Sequence, residues 1–243
     1  MPAGNDTSGC RKATTSGRCP MPYTKVILCL ACSTKPHGRC VAGKELIGGE
    51  FQGWIRPVTP GAHSAITNPQ RRYQNQYSAV VLDVLEIQLD SPQLTGFQAE
   101  NHLIQLPSQW RFIRKMWVND LAALVDSPPS LWTNTCPDPA SGINNRVSGD
   151  MLQGQRIPSL YLIAISNMTV MITDVDGERS YRGTFTYNEV VYKMKITDPK
   201  FHQRFEQQPV GDHVVVVRYL TISLGEVFEV DNYAYKLIAA VFQ

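Results

Sequence analysis

Basic and aromatic side chains are concentrated in residues 35–56, among glycines and short apolar runs. Cations attract the phosphates of a nucleic-acid strand, and a flat aromatic face stacks on unpaired bases. If these side chains point outward from strands and turns, the segment predicts a surface that binds a single strand. The alternative is structural, with Trp54 plugging one end of a β-barrel and Arg56 bonded to buried carbonyl groups. The candidate binding residues of this segment are Lys35, Arg39, Lys44, Trp54 and Arg56.

A second basic cluster follows at Arg71 and Arg72, beside Tyr73. Its polar neighbours and its lack of apolar periodicity indicate a loop between strands. Such a loop could frame a binding groove at the mouth of a small barrel. A solvated loop without a ligand explains the same composition, so both interpretations stay open.

Residues able to do catalytic chemistry are present, but they form no recognisable catalytic set. Glu100 and His102 could share one polar patch, yet hydrolysis needs an activated nucleophile and none is apparent nearby. Cys40 has basic neighbours, which favour a thiolate, but no partner histidine is identifiable. We therefore expect no catalytic residues and no enzymatic activity.

The six cysteines do not predict a metal site. Cys29 and Cys32 have the spacing of two zinc ligands, but they lie in or at the end of an apolar strand. There, an odd spacing directs the two side chains to opposite faces. No second pair with a matching spacing follows. We expect reduced thiols, no metal and no other cofactor.

The charge of the chain is distributed unevenly around a net value of +2. Residues 1–76 contain ten Lys and Arg against three acids, whereas residues 77–243 contain thirteen against eighteen. The basic part favours a nucleic-acid partner, although some of its excess lies in the first 22 residues. No apolar run approaches the length of a membrane span, and no secretory signal is apparent. We expect a cytoplasmic protein without a membrane partner.

The elements that would position these residues are mainly strands. Residues 1–22, rich in Gly, Ser, Thr and Pro, predict a disordered tail. The continuous apolar run of residues 24–33 is typical of a fully buried strand. Apolar residues at spacings of three and four predict one helix over residues 108–126, with its tryptophans in the core rather than stacked on bases. These residues are Trp110, Ile113, Trp117, Leu121 and Leu124.

The chain divides into two predicted barrels. Residues 23–132 would form the first, which contains the helix. Residues 133–158 are rich in Pro, Gly and Asn without a period, which indicates a connector. Residues 159–243 contain five short strand-like segments bounded by turn residues, enough for a second small closed barrel.

Several sequence words, taken together and in order, resemble the dual OB-containing domain family. They are ILCLACSTKPHGRCVAGKE, GWIRPVT, LDVLEIQL, AENHLI, GINNRVS, YLTISLGEVFE and YKLIAAVF. The resemblance covers residues 23–243 and implies two oligonucleotide-binding (OB) barrels in one prokaryotic chain. It also implies a nucleic-acid-associated module that serves in a defence system, and it implies no particular reaction.

The residues and the resemblance favour the same function, non-catalytic binding of single-stranded DNA or RNA through the first barrel. The alternative is a protein adaptor whose acidic C-terminal part docks a partner enzyme that processes nucleic acid. The salt dependence of nucleic-acid binding distinguishes the two functions, because phosphate binding weakens as salt concentration rises.

Overall fold

The computed structural model describes residues 21–60, 64–73, 77–93 and 96–243, so most of the predicted tail lies outside the described residues. The chain is mainly β, with two sheets that each close into a barrel. This confirms the predicted fold class. None of the helices in the described ranges is long and apolar enough to cross a bilayer.

The first barrel uses strands β1 to β5, and β6 extends it at one edge. The strand order is β1-β2-β3-β5-β4, and a further pairing of β1 with β4 closes the barrel. All pairings are antiparallel except that of β3 with β5, which is parallel. This is the topology of an OB barrel. The strands are β1 (Tyr23–Lys35), β2 (Gly38–Ile47), β3 (Glu50–Val58), β4 (Asp83–Pro92), β5 (Asn101–Ile104) and β6 (Trp110–Lys115).

The second barrel repeats this topology with two bent strands. β8 and β9 pair antiparallel with β13 and β12 in one continuous register, with Leu160 opposite Ser223 and Ile172 opposite Gly211. β10 and β11 follow β9, and β14 lies parallel to β11 and antiparallel to β13. The strands are β8 (Leu160–Ala164), β9 (Asn167–Val175), β10 (Glu178–Tyr187), β11 (Val190–Ile196), β12 (Gly211–Val216), β13 (Tyr219–Phe228) and β14 (Tyr233–Phe242).

Three short elements accompany these strands. The segment between the barrels contains β7 (Arg146–Ser148), which pairs with β14, and α1 (Gly149–Leu152). α2 (Pro199–Phe205) lies between β11 and β12. Asp198 caps α2 by accepting hydrogen bonds from the N–H groups of Lys200 and Phe201, and Pro199 occupies the first turn. A capping acid followed by proline is a common start of a helix.

The two barrels pack directly against each other, and β1 lies at the centre of their interface. Leu28 and Leu30 belong to a cluster with Leu162 and Phe242 of the second barrel. The other face of β1 contributes Ile27 to the core of the first barrel. Burial on both faces explains why this strand is apolar without alternation.

The predicted helix over residues 108–126 is wrong. Residues Trp110–Lys115 form β6, which pairs with β4, and a 3-10 turn covers Val118–Leu124. Trp110 and Leu121 are buried as expected, but Ile113 and Trp117 are exposed. The apolar spacing arose from a strand followed by a turn, because backbone pairing with distant β4 overrides a local helical pattern. In the described part of the first barrel, helical structure is limited to 3-10 turns.

The expectation that Cys29 and Cys32 point to opposite faces is also wrong. Both belong to the core of the first barrel, because a bulge between Cys29 and Ala31 shifts the alternation of β1. Burial raises the pKa of both thiols. Buried, protonated thiols are poor nucleophiles and poor metal ligands.

Lys236 on β14 is a fully buried lysine enclosed by the segment between the barrels. Its Nζ donates to the Thr133 carbonyl at 2.8 Å and to Asn134 Oδ1 at 2.7 Å. It also lies 5.4 Å from the centre of the Tyr192 ring. Burial lowers the pKa of Lys236 to about 7.

The lowered pKa of Lys236 predicts a pH dependence of stability. Its folded-state pKa of about 7 lies below the ordinary lysine value of 10.5. Between these values the unfolded chain binds more protons, so the free energy of unfolding rises with pH by up to about 1.4 kcal/mol per pH unit. Urea unfolding at about pH 7 and about pH 8.5 should show this rise in the wild type and a smaller one in Lys236→Met. Lys195→Met, which changes an exposed lysine, serves as the control, and equal rises in all three proteins would contradict the prediction.

Candidate nucleic-acid interface

Lys44 and Trp54, both expected to face a ligand, are held by the carboxylate of Asp126. Lys44 Nζ lies 2.6 Å from Asp126 Oδ1, and Trp54 Nε1 donates to Asp126 Oδ2 at 3.0 Å. The same Oδ2 accepts the backbone N–H of Leu162 in the second barrel at 2.8 Å. Lys44 is only 8% exposed. Through Asp126, these two side chains are therefore part of the contact between the barrels.

Arg56 is also buried, with 3% of its surface exposed. Its Nη2 lies 3.4 Å from Glu100 Oε1 and 3.3 Å from Ser223 Oγ. Its Nη1 donates to Asn101 Oδ1 at 3.3 Å. Glu100 in turn accepts hydrogen bonds from the N–H and hydroxyl groups of Ser159. Arg56 thus belongs to a buried polar layer between the barrels. This resembles the alternative in which Arg56 has a structural role, bonded to buried groups.

Lys35 makes a third connection, because its Nζ lies 2.9 Å from Glu226 Oε1 of the second barrel. The expectation that residues 35–56 present one exposed cationic cleft is therefore wrong for Lys44 and Arg56. Burying a cation is costly unless a carboxylate pairs with it, and Lys44 and Arg56 each have one at the barrel interface.

Arg39 and Arg71 remain at the surface and line a common cleft. Arg39 Nη1 donates to Thr34 Oγ1 at 2.7 Å. Arg71 Nη1 donates to the Ala79 carbonyl at 2.7 Å, and its Nε and Nη2 bond Asn68 Oδ1. Neither arginine is paired with a carboxylate in the described structure. Arg72 is exposed in the same loop.

This cleft is one of three adjoining clefts, of about 200, 340 and 400 Å³, that lie between the two barrels. The first and third share Arg39 and Pro199, and the first and second share Lys200 and Gln203. One wall comes from the β1–β2 turn and the loops before β4, and the other from α2 and the end of β14. We define the basic groove by its cationic lining, which comprises Arg39, Arg71, Lys115, Lys200 and Arg204.

The acids that lie against these cations are buried and committed to internal partners. Asp198 lines the groove but accepts hydrogen bonds from the α2 N-terminus and from Val241 N–H at 3.0 Å. Asp83 is 4% exposed and pairs with Lys115 Nζ at 2.7 Å. His202 also lines the groove, and burial lowers its pKa, so it adds no charge at neutral pH. The solvent-facing lining is therefore positive.

Sequence reasoning missed Lys115, Lys200 and Arg204. Lys115 was assigned to a helix, and the short α2 was not recognised, although Asp198 and Pro199 form a helix-start signal. The groove itself is formed by elements from both barrels, so the proximity of its lining residues could not be predicted from one segment of the sequence.

A larger cleft of about 630 Å³ lies elsewhere, between the β4–β5 loop and α1. Its charged residues are already engaged, since Asp150 accepts from Asn232 and Arg156 donates to the Gln93 and Ala99 carbonyls. Its remaining polar lining is uncharged. With one cation and one acid, the lining of this cleft has no excess of positive charge to attract a phosphate backbone.

Glu100 and His102, the polar pair of the sequence, do not share a site. Glu100 is in the interface with Arg56, whereas His102 Nδ1 is hydrogen-bonded to the hydroxyl of Tyr23. Burial and the nearby Lys25 lower the pKa of His102 to about 4. The described residues contain no group of three or more His, Cys, Asp or Glu placed to hold a metal ion.

Comparison with known proteins supports the fold assignment. The sequence model of the family described as the dual OB-containing domain matches residues 25–241, which is nearly the whole chain. A search of curated proteins returned no match.

Proposed function

The chain belongs to the dual OB-containing domain family, and we propose from this premise that it binds single-stranded nucleic acid in the basic groove without catalysis. OB barrels commonly bind oligonucleotides. The observation that carries the proposal is the convergence of Arg39, Lys200 and Arg204 from two barrels on one groove. The proposal moves the binding surface away from Lys44, Trp54 and Arg56.

The properties of the groove support a single strand as its ligand. Lys200 is exposed, and the side chains of Arg39 and Arg204 have only neutral hydrogen-bond partners among the described residues. Such cations exchange counterions for phosphates without breaking an ion pair. The groove is lined by residues of both barrels, and its clefts of about 200, 340 and 400 Å³ adjoin one another, which suits one flexible chain. Arg72, exposed beside Arg71, could add a contact at one end.

The triple variant Arg39→Ala, Lys200→Ala, Arg204→Ala tests the proposal. Its affinity for a fluorescent single strand of about 20 nucleotides should fall at least about tenfold at low salt, because phosphate contacts are lost. The negative slope of log affinity against log salt concentration should become shallower by about 2, as expected for the loss of three contacts. Fluorescence anisotropy at several salt concentrations measures both quantities.

Arg146→Ala is the matched control for this triple variant. Arg146 packs 4.0 Å from the centre of the Tyr233 ring, where β14 begins, whereas the groove lies where β14 ends. It should bind like the wild type. The triple variant should also keep its thermal stability within about 1 kcal/mol, because its residues are at the surface. A triple variant that is folded and binds with wild-type affinity and salt slope would contradict the proposal.

One observation favours a protein adaptor as the second candidate function. β12 pairs with β9 on one side, and its other edge has no strand partner in the described structure. Val214 and Val216 on this strand are 80% and 73% exposed. An apolar edge strand can pair with a strand of another protein, such as a partner enzyme of a defence system. A copurifying partner that is lost from Val214→Lys but retained by the triple groove variant would support this function.

A further inference from the structure

Trp117 is an exposed tryptophan at the rim of the basic groove. It is 73% exposed and lies between Lys115 and Val118, two residues that line the groove. The other three tryptophans are buried or donate their indole N–H to an acceptor within the protein. Trp110 is 1% exposed, Trp54 donates its N–H to Asp126, and Trp132 donates its N–H to the Pro158 carbonyl.

The backbone around Trp117 is fixed although its ring is exposed. Its N–H donates to Asp120 Oδ2 at 2.9 Å, and the Asp120 N–H donates back to the Trp117 carbonyl at 3.0 Å. The preceding residue, Met116, is buried and continues the pairing with the β4 side by donating its N–H to the Leu82 carbonyl. The ring itself makes no aromatic or cation–π contact with a described residue. The backbone that carries the indole is thus held by hydrogen bonds, which reduces the entropy lost on binding.

Three cations belong to the segments that surround Trp117 in the fold. Lys115 precedes it on β6, and Arg204 lines the same part of the groove. Arg218 of the second barrel reaches Asn119, two residues beyond Trp117. A strand whose phosphates contact these cations would bring its bases within reach of the indole face. Cations that hold phosphates, together with an exposed ring, are the elements of a single-strand binding surface.

We infer that Trp117 stacks on an unpaired base of a strand whose phosphates lie in the basic groove. This inference rests on the proposed function and deepens it. Phosphate contacts alone would accept any polyanion, whereas the indole requires a base with a free face. The site therefore selects a base-bearing single strand over an abasic strand or a duplex.

The test compares an oligothymidylate of about 20 nucleotides with an abasic strand of equal length, which keeps the phosphates and lacks the bases. The wild type should bind the oligothymidylate about 5- to 150-fold more tightly, the range expected for stacking on one base. Trp117→Ala should lose most of this preference and keep the salt slope, and Trp117→Phe should retain part of it. Binding should also quench tryptophan fluorescence in the wild type and much less in Trp117→Phe.

Phe228→Ala is the matched control, since Phe228 is 58% exposed and lies at the opposite end of β13 from Tyr219, which pairs with groove residue Phe242. It should keep the wild-type preference. Equal affinity of the wild type for both strands, or no effect of Trp117→Ala, would overturn the stacking inference while leaving phosphate binding intact. Absence of binding to either strand at low salt would overturn the proposed function as well.

Discussion

Arg56→Met is expected to lower the free energy of unfolding by about 3–5 kcal/mol, because it leaves a buried carboxylate without its cation. Glu100 is 6% exposed, and Arg56 is its cationic partner at 3.4 Å. The hydrogen bonds from Ser159 to Glu100 would remain, but they cannot replace the positive charge. Urea unfolding monitored by circular dichroism measures the loss.

A double variant controls for the lost packing of the arginine stem. Arg56→Met combined with Glu100→Gln removes both charges and should be more stable than Arg56→Met alone. The glutamine carbonyl can still accept a hydrogen bond from Ser159. A loss below about 1 kcal/mol for Arg56→Met would show that the pair is not buried in solution, since exposed pairs contribute no more than this.

Asp126→Ala should destabilise the protein by about 2–4 kcal/mol, since one carboxylate satisfies donors from both barrels. The substitution leaves Lys44 buried without a counterion and removes the acceptor for Trp54 Nε1 and Leu162 N–H. Asp126→Asn, which keeps an acceptor but no charge, should cost less. Thermal or urea unfolding of the three proteins gives the comparison.

Asp90→Ala is a suitable control for this series, because Asp90 is exposed on β4. Its loss should change the free energy of unfolding by no more than about 0.5 kcal/mol. Equal effects of Asp126→Ala and Asp90→Ala would mean that the Asp126 cluster does not hold the barrels together.

These two polar clusters have a functional consequence, because the basic groove takes its walls from both barrels. The carboxylate that pairs with Lys44 accepts the Leu162 N–H, and the pair of Arg56 with Glu100 bonds Ser223 and Ser159, so both clusters connect one barrel to the other. Buried charge pairs are sensitive to geometry, so they favour one mutual arrangement over others. Arg39 and Lys200 thereby remain on facing walls of one groove.

The mainly β architecture could be predicted from the sequence because its strands carry local signals. The apolar run within β1 indicated a strand buried on both faces, and Leu28 and Ile27 confirm this by packing into two different cores. The predicted division into 23–132, 133–158 and 159–243 stays a prediction, although β8 begins at Leu160.

The region around β6 could not be predicted, because its apolar spacing is ambiguous. Trp110 and Leu121 lie at helical spacing, yet they are buried by a strand and by a 3-10 turn respectively. The strand forms because β4 supplies hydrogen-bond partners from a distant part of the sequence. Local periodicity contains no information about that partner.

The burial of Lys44 and Arg56 was equally hidden from the sequence. Asp126 lies 82 positions from Lys44, so a local search shows only an unpaired cation. Arg39 could be placed at the surface because it is next to a turn with Gly38. Lys200 and Arg204 could not be joined to it, since the groove depends on how two barrels dock.

Hydrogen–deuterium exchange with and without an oligothymidylate at low salt tests the central claim most directly. Binding in the basic groove should slow exchange in peptides that cover residues 36–41, 114–119 and 198–205, and leave residues 145–156 and 211–216 unchanged. Protection confined to the 145–156 cleft or to the β12 edge, with none at α2 or the β1–β2 turn, would contradict the account.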